Sequence, residues 1–179
     1  MSSLNNVAPN DKINVIEISI KGFLMNKMRA IIYLLSKESG KVSELKVIRL
    51  LYLIDWYSCL WRGSKITSLN WGYRFGLKAY NLEQVLHHIP RQIEINRYGS
   101  KVNHYFYNEF IENELTDDDI KVINLVLKDT NKLYFNELES LVFSTYPFNE
   151  DTLYSVLNLE EAAFNYKIKN KLIRQGEGL

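Results

Sequence analysis

The fold is decided by the stretch Ser43–Gly63, which reads SELKVIRLLYLIDWYSCLWRG. A serine just before a helix accepts a hydrogen bond from the first turn, and a glycine just after it favours termination. We therefore predict a helix that is capped by Ser43, continues through Trp61 and stops at Gly63. A helix that is apolar on nearly every side is usually buried at the centre of a domain. The apolar residues of this helix are Leu45, Ile48, Leu50, Leu51, Tyr52, Leu53, Ile54, Trp56 and Leu60.

The segments on either side carry weaker patterns. Residues 1–22 read as a leader, in which Ile13–Ile20 alternates and predicts one short strand. Apolar residues at helical spacing predict a helix over Phe23–Lys37, with Gly40 as its stop. After the central helix we predict an extended piece at Lys65–Thr67, a loop bracketed by Gly72 and Gly76, a helix at Tyr80–His87 ahead of Pro90, and a β-hairpin at Ile93–Phe110 that turns at Gly99-Ser100.

A clear helix start lies in the second half of the chain. Thr116 followed by Asp119 approximates a capping box, and the acidic run Asp117–Asp119 suits the positive end of a helix dipole. Ile120, Val122, Ile123, Val126 and Leu127 give this helix a core face, and two further helices are predicted at Asn136–Ser144, ending near Pro147, and at Asn158–Arg174.

Together these elements predict a mainly α (α+β) fold. It is a compact helical domain around a buried central helix, with a small antiparallel β-hairpin. Residues 23–150 form the main domain, and residues 151–179 supply a C-terminal helix packed on it.

Composition indicates one soluble cytoplasmic domain. The 179 residues are 46% hydrophobic and 24% charged, which is ordinary for a globular protein. No run approaches the roughly 18 apolar residues of a membrane helix, and the N-terminus lacks the features of a secretory signal. Cys59 is the only cysteine, so no internal disulfide can form. We therefore expect a cytoplasmic protein that has no contact with a membrane.

The charge is unevenly distributed along the chain. Residues 1–106 carry a net charge of +8 and residues 107–179 carry −7, within a total of +1. The two halves either form a dipolar surface that steers a charged partner or pair with each other. Lys167, Lys169, Lys171 and Arg174 could contact phosphates, but cations also stabilise the end of a helix, and we favour that interpretation.

The sequence shows no catalytic set. His87, His88 and His104 have no further ligands at metal-binding spacing, and Asp117–Asp119 is explained as a helix start. Cys59 lies among apolar residues, where a thiol is inert. We therefore expect no catalytic residue, no metal and no cofactor, and a protein that is not an enzyme.

Aromatic residues instead indicate binding to another protein. The chain has 12 Tyr, 8 Phe and 3 Trp, and interface hot spots are rich in Tyr, Trp and Arg. Each such residue could alternatively be part of the core. The candidate partner-binding residues are Trp56, Tyr57, Trp61, Arg62, Trp71, Tyr73, Arg74 and Tyr80.

Three groups of residues carry a resemblance to a known family. The first is RLLYLID followed by Gly63, Ile66 and Thr67, and the second is Gly76 with Tyr80-Asn81. The third comprises Leu115-Thr116, Val126-Leu127, Glu137-Leu138, Leu141-Val142 and Tyr146-Pro147-Phe148. In order and spacing, residues 23–150 resemble the Panacea antitoxin domain, also called the SocA-like or phage-associated antitoxin. The family has Tyr-Gly-Pro where this chain has Phe75, Gly76 and Leu77.

The resemblance implies an antitoxin that neutralises a toxin encoded beside it by direct contact. Members of the family occur in toxin–antitoxin operons and on prophages, and the toxins they bind are unrelated to one another. The alternatives are a proteolytic adaptor or phage-associated regulatory protein that delivers its partner to a protease, and a DNA-binding autorepressor. Nucleic acid is not expected as a partner, because helix Glu44–Trp61 is too apolar to lie in a DNA groove.

Overall fold

The helices and strands cover most of the part of the chain that the computed structural model describes, which is residues 26–37, 41–86, 91–96, 99–105, 114–148 and 155–174. The predicted leader and its strand Ile13–Ile20 lie outside these residues. In chain order the elements are α1 (26–36), β1 (Lys41–Ser43), α2 (Glu44–Arg62), β2 (Trp71–Tyr73), β3 (Leu77–Ala79), α3 (Leu82–Leu86), β4 (Arg91–Asn96), β5 (Gly99–Tyr105), α4 (Asp117–Thr130), α5 (Phe135–Phe143), a 3-10 turn (Tyr146–Phe148), β6 (Ser155–Leu157) and α6 (Leu159–Arg174).

Helix α2 is the central element, and it contacts α4, α5 and α6. Its ends are as predicted: the Lys46 N–H donates to Ser43 Oγ, and Gly63 takes the left-handed conformation at φ 83°. Most of its residues from Val47 to Cys59 are buried, whereas Leu45, near its start, is exposed. The predicted mainly α fold around a buried central helix is confirmed. None of the described helices is long and apolar enough to cross a membrane.

The predicted hairpin belongs to the first of two antiparallel sheets, in which the strand order is β1-β5-β4. The turn predicted at Gly99-Ser100 is wrong. Gly99 pairs with Asn96, and Ser100 pairs with Ile95, so both predicted turn residues lie inside β5. This register places Ile93 opposite Val102, which is an apolar cross-strand pair.

The second sheet, with order β3-β2-β6, was not predicted. Strand β2 pairs with β3 in a hairpin and with β6 from the far end of the chain. Gly72, which we predicted to border a loop, lies within β2, and the extended piece predicted at residues 65–67 is not a strand, because residues 66 and 67 form bends. Strands of three residues are too short to show an alternating pattern, so only the pairing defines them.

Asp55 anchors the loop between α2 and this second sheet. Its carboxylate is completely buried, yet it accepts hydrogen bonds from the Ile66 N–H at 3.0 Å and from the Thr67 N–H at 2.8 Å. The Thr67 hydroxyl at 2.5 Å and the Trp71 indole N–H at 2.8 Å complete the set. Burial raises the pKa of Asp55 to about 6, partly opposed by these bonds. The carboxylate therefore determines the path of residues 66–71.

A second buried carboxylate, Asp119, joins three helices. The predicted capping box with Thr116 is present, and Asp119 also forms ion pairs with Lys27 of α1 at 2.8 Å and Arg62 of α2 at 2.5 Å. Burial alone would raise the pKa of Asp119, but the bonds from Lys27 and Arg62 outweigh it and lower the pKa. The start of α4 is thereby tied to the end of α2.

Removal of the Asp55 carboxylate should destabilise the fold strongly. In Asp55→Ala, the N–H groups of Ile66, Thr67 and Trp71 lose their acceptor, and we expect a loss of about 3–5 kcal/mol in the free energy of unfolding. Denaturant titration at pH 7 measures this loss. The matched control is Asp118→Ala, because Asp118 is exposed and pairs with the exposed Lys121. Equal effects of the two substitutions would contradict the role of Asp55.

The pH dependence of stability tests the buried carboxyl group separately. The pKa of Asp55 is about 6 in the fold against 3.8 for an unperturbed carboxyl, so the folded state binds the proton more tightly. Its contribution to stability is therefore fully present below about pH 4 and falls by about 3 kcal/mol as the pH rises past 6. We expect the stability difference between wild type and Asp55→Ala to shrink from pH 4 to pH 7. A difference that grows with pH would show that the carboxylate is the preferred form.

Candidate protein-binding surfaces

Two of the predicted partner-binding residues belong to the core. Trp56 and Trp71 are both almost fully buried. The Trp71 ring meets the Tyr52 ring edge-on at 5.5 Å, and the Trp56 ring lies 6.0 Å from that of Tyr166. These two tryptophans therefore stabilise the domain from inside, where a partner cannot reach them.

Tyr73 is also mainly a packing residue. It is half-buried, and its ring lies 5.6 Å from Phe143 and 5.3 Å from Phe148. This aromatic cluster fastens β2 to α5 and to the 3-10 turn. Tyr73 thus supports the neighbouring surface without forming much of it.

Three predicted residues lie together at the end of α2. Tyr57 and Trp61, with Leu60 and with Leu125 of α4, line an apolar hollow of about 260 Å³. Trp61 is 55% exposed. Burial, assisted by the nearby charge of Asp129, raises the pKa of Tyr57. We call these four residues the Trp61 hollow.

The third residue of that group, Arg62, has a structural role. Its guanidinium donates to Asp119 and, at 2.8 Å, to the hydroxyl of Ser58. Ser58 in turn donates to the carbonyl of Ser64 at 2.7 Å. Arg62 is therefore committed to holding the end of α2, and a partner would have to break an ion pair to use it.

Arg74 lies in the hairpin formed by β2 and β3, and Tyr80 directly follows β3. This hairpin borders the start of α2, whereas the Trp61 hollow lies near the end of α2. Tyr80 is 57% exposed, and its ring covers Gly72 so closely that a Cβ atom there would lie 2.5 Å from the ring. Asn81, the next residue, accepts a hydrogen bond from the Asn70 N–H at 3.0 Å and donates to the Ser68 carbonyl at 3.1 Å. These contacts hold the hairpin in a defined position.

A groove lies between this hairpin, the start of α2 and α3. It has a volume of about 440 Å³, and its apolar lining includes Leu45, Ile48, Phe75 and Leu82. Four charged residues also line it, namely Glu44, Arg49, Lys78 and Glu83. We call it the hairpin groove. Its lining combines apolar and charged residues, as protein-binding sites do.

The most exposed aromatic residue of the groove is one that sequence reasoning missed. Phe75, at the tip of the hairpin, is 82% exposed and has a φ of 51°. This backbone conformation is unfavourable for a phenylalanine by roughly 1–2 kcal/mol. The available signal was the departure of Phe75-Gly76-Leu77 from the Tyr-Gly-Pro of the resembled family, which marks this turn as particular to this chain.

Cys59, the only cysteine of the chain, is buried. Burial raises the pKa of the Cys59 thiol to about 12, so it stays protonated. Among the residues described, no three His, Cys, Asp or Glu side chains lie together as metal ligands would. His104 lies in β5, and His87 and His88 fall outside the described residues. Of the surfaces that include predicted partner-binding residues or their neighbours, the Trp61 hollow and the hairpin groove are both accessible.

Compared with protein-family models, with curated proteins and with solved structures, the chain shows no match.

Proposed function

We propose that the chain is an antitoxin that neutralises a protein toxin encoded nearby, by binding it directly through the hairpin groove. The observation that carries this proposal is the exposed ring of Phe75 beside an apolar groove on a firmly braced hairpin. Surface patches of this kind on a soluble domain usually mark interaction sites. The resemblance of residues 23–150 to an antitoxin domain supports a toxin as the class of partner.

The groove has the properties of an interface centre. Burial of the Phe75 and Leu45 side chains would contribute about 2–3 kcal/mol each. A stable complex buries roughly 1,200–2,000 Å² in total, so the groove would form the centre of a larger contact. The bracing by Asn81 and Tyr80 lowers the entropy lost on binding, because the hairpin needs no further ordering.

Binding alone would be sufficient for neutralisation. A toxin that binds in the groove has part of its surface covered. When the covered part is the active surface, the toxin is inactive. This mechanism needs no reaction by the antitoxin, in keeping with a surface that is apolar and aromatic.

The function of proteolytic adaptor is a second candidate, and the Trp61 hollow favours it. Leu45 and Trp61 lie sixteen residues apart on α2, which is about 24 Å along a helix. Two separate apolar surfaces would let the chain hold a toxin at one end and a protease at the other. An adaptor would make the toxin level fall in a protease-dependent way, and Trp61→Asp would prevent this fall without loss of toxin binding.

Co-expression with the toxin candidate from the adjacent gene tests the leading proposal. The wild-type chain should restore growth and co-purify with the toxin. Phe75→Asp should weaken the complex at least about tenfold, because a desolvated carboxylate replaces an apolar anchor. Quantitative pull-down and titration calorimetry measure the change.

The matched control is Tyr134→Asp. Tyr134 is an equally exposed aromatic residue at the cap of α5, where aspartate is favourable. It should neutralise the toxin as the wild type does. If the wild type neither binds nor rescues, the antitoxin proposal fails, and if Phe75→Asp binds normally, the hairpin groove is not the contact.

A further inference from the structure

The outer face of α6 is an exposed apolar stripe. Six consecutive residues, 164–169, are all exposed, although they lie within a helix that packs on α2. On the inner side, Tyr166 contacts the ring of Tyr146 at 5.5 Å. On the outer side, Phe164 is 64% exposed and Ile168 is 43% exposed. Residues four apart in a helix share a face, so these two side chains form one continuous patch.

A charged residue flanks the apolar patch at each end, and the two charges are of opposite sign. Glu161, Phe164, Ile168 and Lys171 follow one another at spacings of three, four and three residues, which places all four on one side of the helix. Glu161 and Lys171 are both exposed. The face therefore carries an acid at its start, two apolar residues in the middle and a base at its end.

This order of side chains is self-complementary. When two such helices lie antiparallel about residue 166, Phe164 of each copy meets Ile168 of the other. The same alignment places Glu161 of each copy opposite Lys171 of the other. A parallel alignment would instead bring like charges together, and like charges repel.

We propose that the outer face of α6 is a homodimerisation surface, on which a second copy of this chain docks antiparallel. The occupant is a second copy because the charge order fits its own inverse, and a two-fold axis satisfies both halves of the contact at once. The Glu161 carboxylate already accepts a hydrogen bond from the Asn158 side chain at 3.1 Å, which orients it and leaves further acceptor capacity for a lysine.

The size of the contact sets its strength. Two apolar layers and two ion pairs bury less than the roughly 1,200 Å² of a standard stable interface, so the dimer forms and dissociates with concentration in the micromolar range. The surface lies on α6, apart from the hairpin groove on α2, α3 and the β2–β3 hairpin. The inference is therefore independent of the proposed antitoxin function.

Sedimentation velocity on the purified full chain, from about 1 to 200 µM, tests the proposal. The wild type should shift from monomer to dimer across this range. Ile168→Glu places two charges at the centre of the contact, one from each copy, and should leave the chain monomeric.

Glu161→Lys and Lys171→Glu should each weaken the dimer about three- to tenfold, and the double variant should restore it. Lys132→Glu, the same charge change at an exposed site outside α6, should have no effect.

Circular dichroism and melting temperature show whether each variant remains folded. A wild type that stays monomeric up to 200 µM overturns the proposal. A dimer that survives Ile168→Glu overturns it as well, because another face must then form the contact. Failure of the double charge exchange to restore a dimer that both single variants weaken excludes the antiparallel alignment.

Discussion

The structure depends on the burial of one carboxylate, that of Asp55, in the middle of the central helix α2. A buried charge is tolerated only when donors surround it. The donors to Asp55 come from residues 66–71, so this loop is held in the one path that satisfies the carboxylate. The loop runs directly into β2, and β2 carries the hairpin that forms one wall of the groove. The position of the exposed Phe75 thus follows from a hydrogen-bonded site in the core.

The same logic applies along the whole of α2. Apolar burial is favourable in any orientation, so it cannot by itself determine which neighbour packs where. Polar residues of α2 determine which neighbour packs where, because each bonds to a different part of the chain. Arg49 pairs with Glu139 of α5 at 2.7 Å, and the Tyr52 hydroxyl bonds to Thr145 at 2.7 Å. Arg62 pairs with Asp119 of α4. Each of these hydrogen bonds and ion pairs fixes the position of one segment against the central helix.

The elements that the sequence predicted correctly are those marked by residues at their own ends. The limits of α2 followed from Ser43 and Gly63, and the start of α4 followed from the capping box of Thr116 and Asp119. The elements that the sequence did not predict are those that depend on pairing between distant segments. Strand β6 pairs with β2 across more than eighty residues, and three-residue strands leave no periodic pattern. The burial of Trp71 was equally hidden, because an aromatic residue after a loop suits a surface as well as a core. Only the Asp55 bond to its indole decides between them.

Most residues that carry the family resemblance act inside the fold, whereas Gly76 and Tyr80 lie at the exposed hairpin. Tyr52, Asp55, Thr67 and Asn81 act within the fold, as donors and acceptors that brace it. Phe75 and Trp61, which provide exposed apolar surface, fall where the resemblance departs from the family pattern or is silent. A scaffold braced from inside tolerates changes at its surface, since surface substitutions rarely alter stability by much. On the proposed function, substitutions at the exposed side chains would change which partner binds without changing the fold. The partner would then be determined by the few exposed side chains around the hairpin, and the fold by the polar residues beneath it.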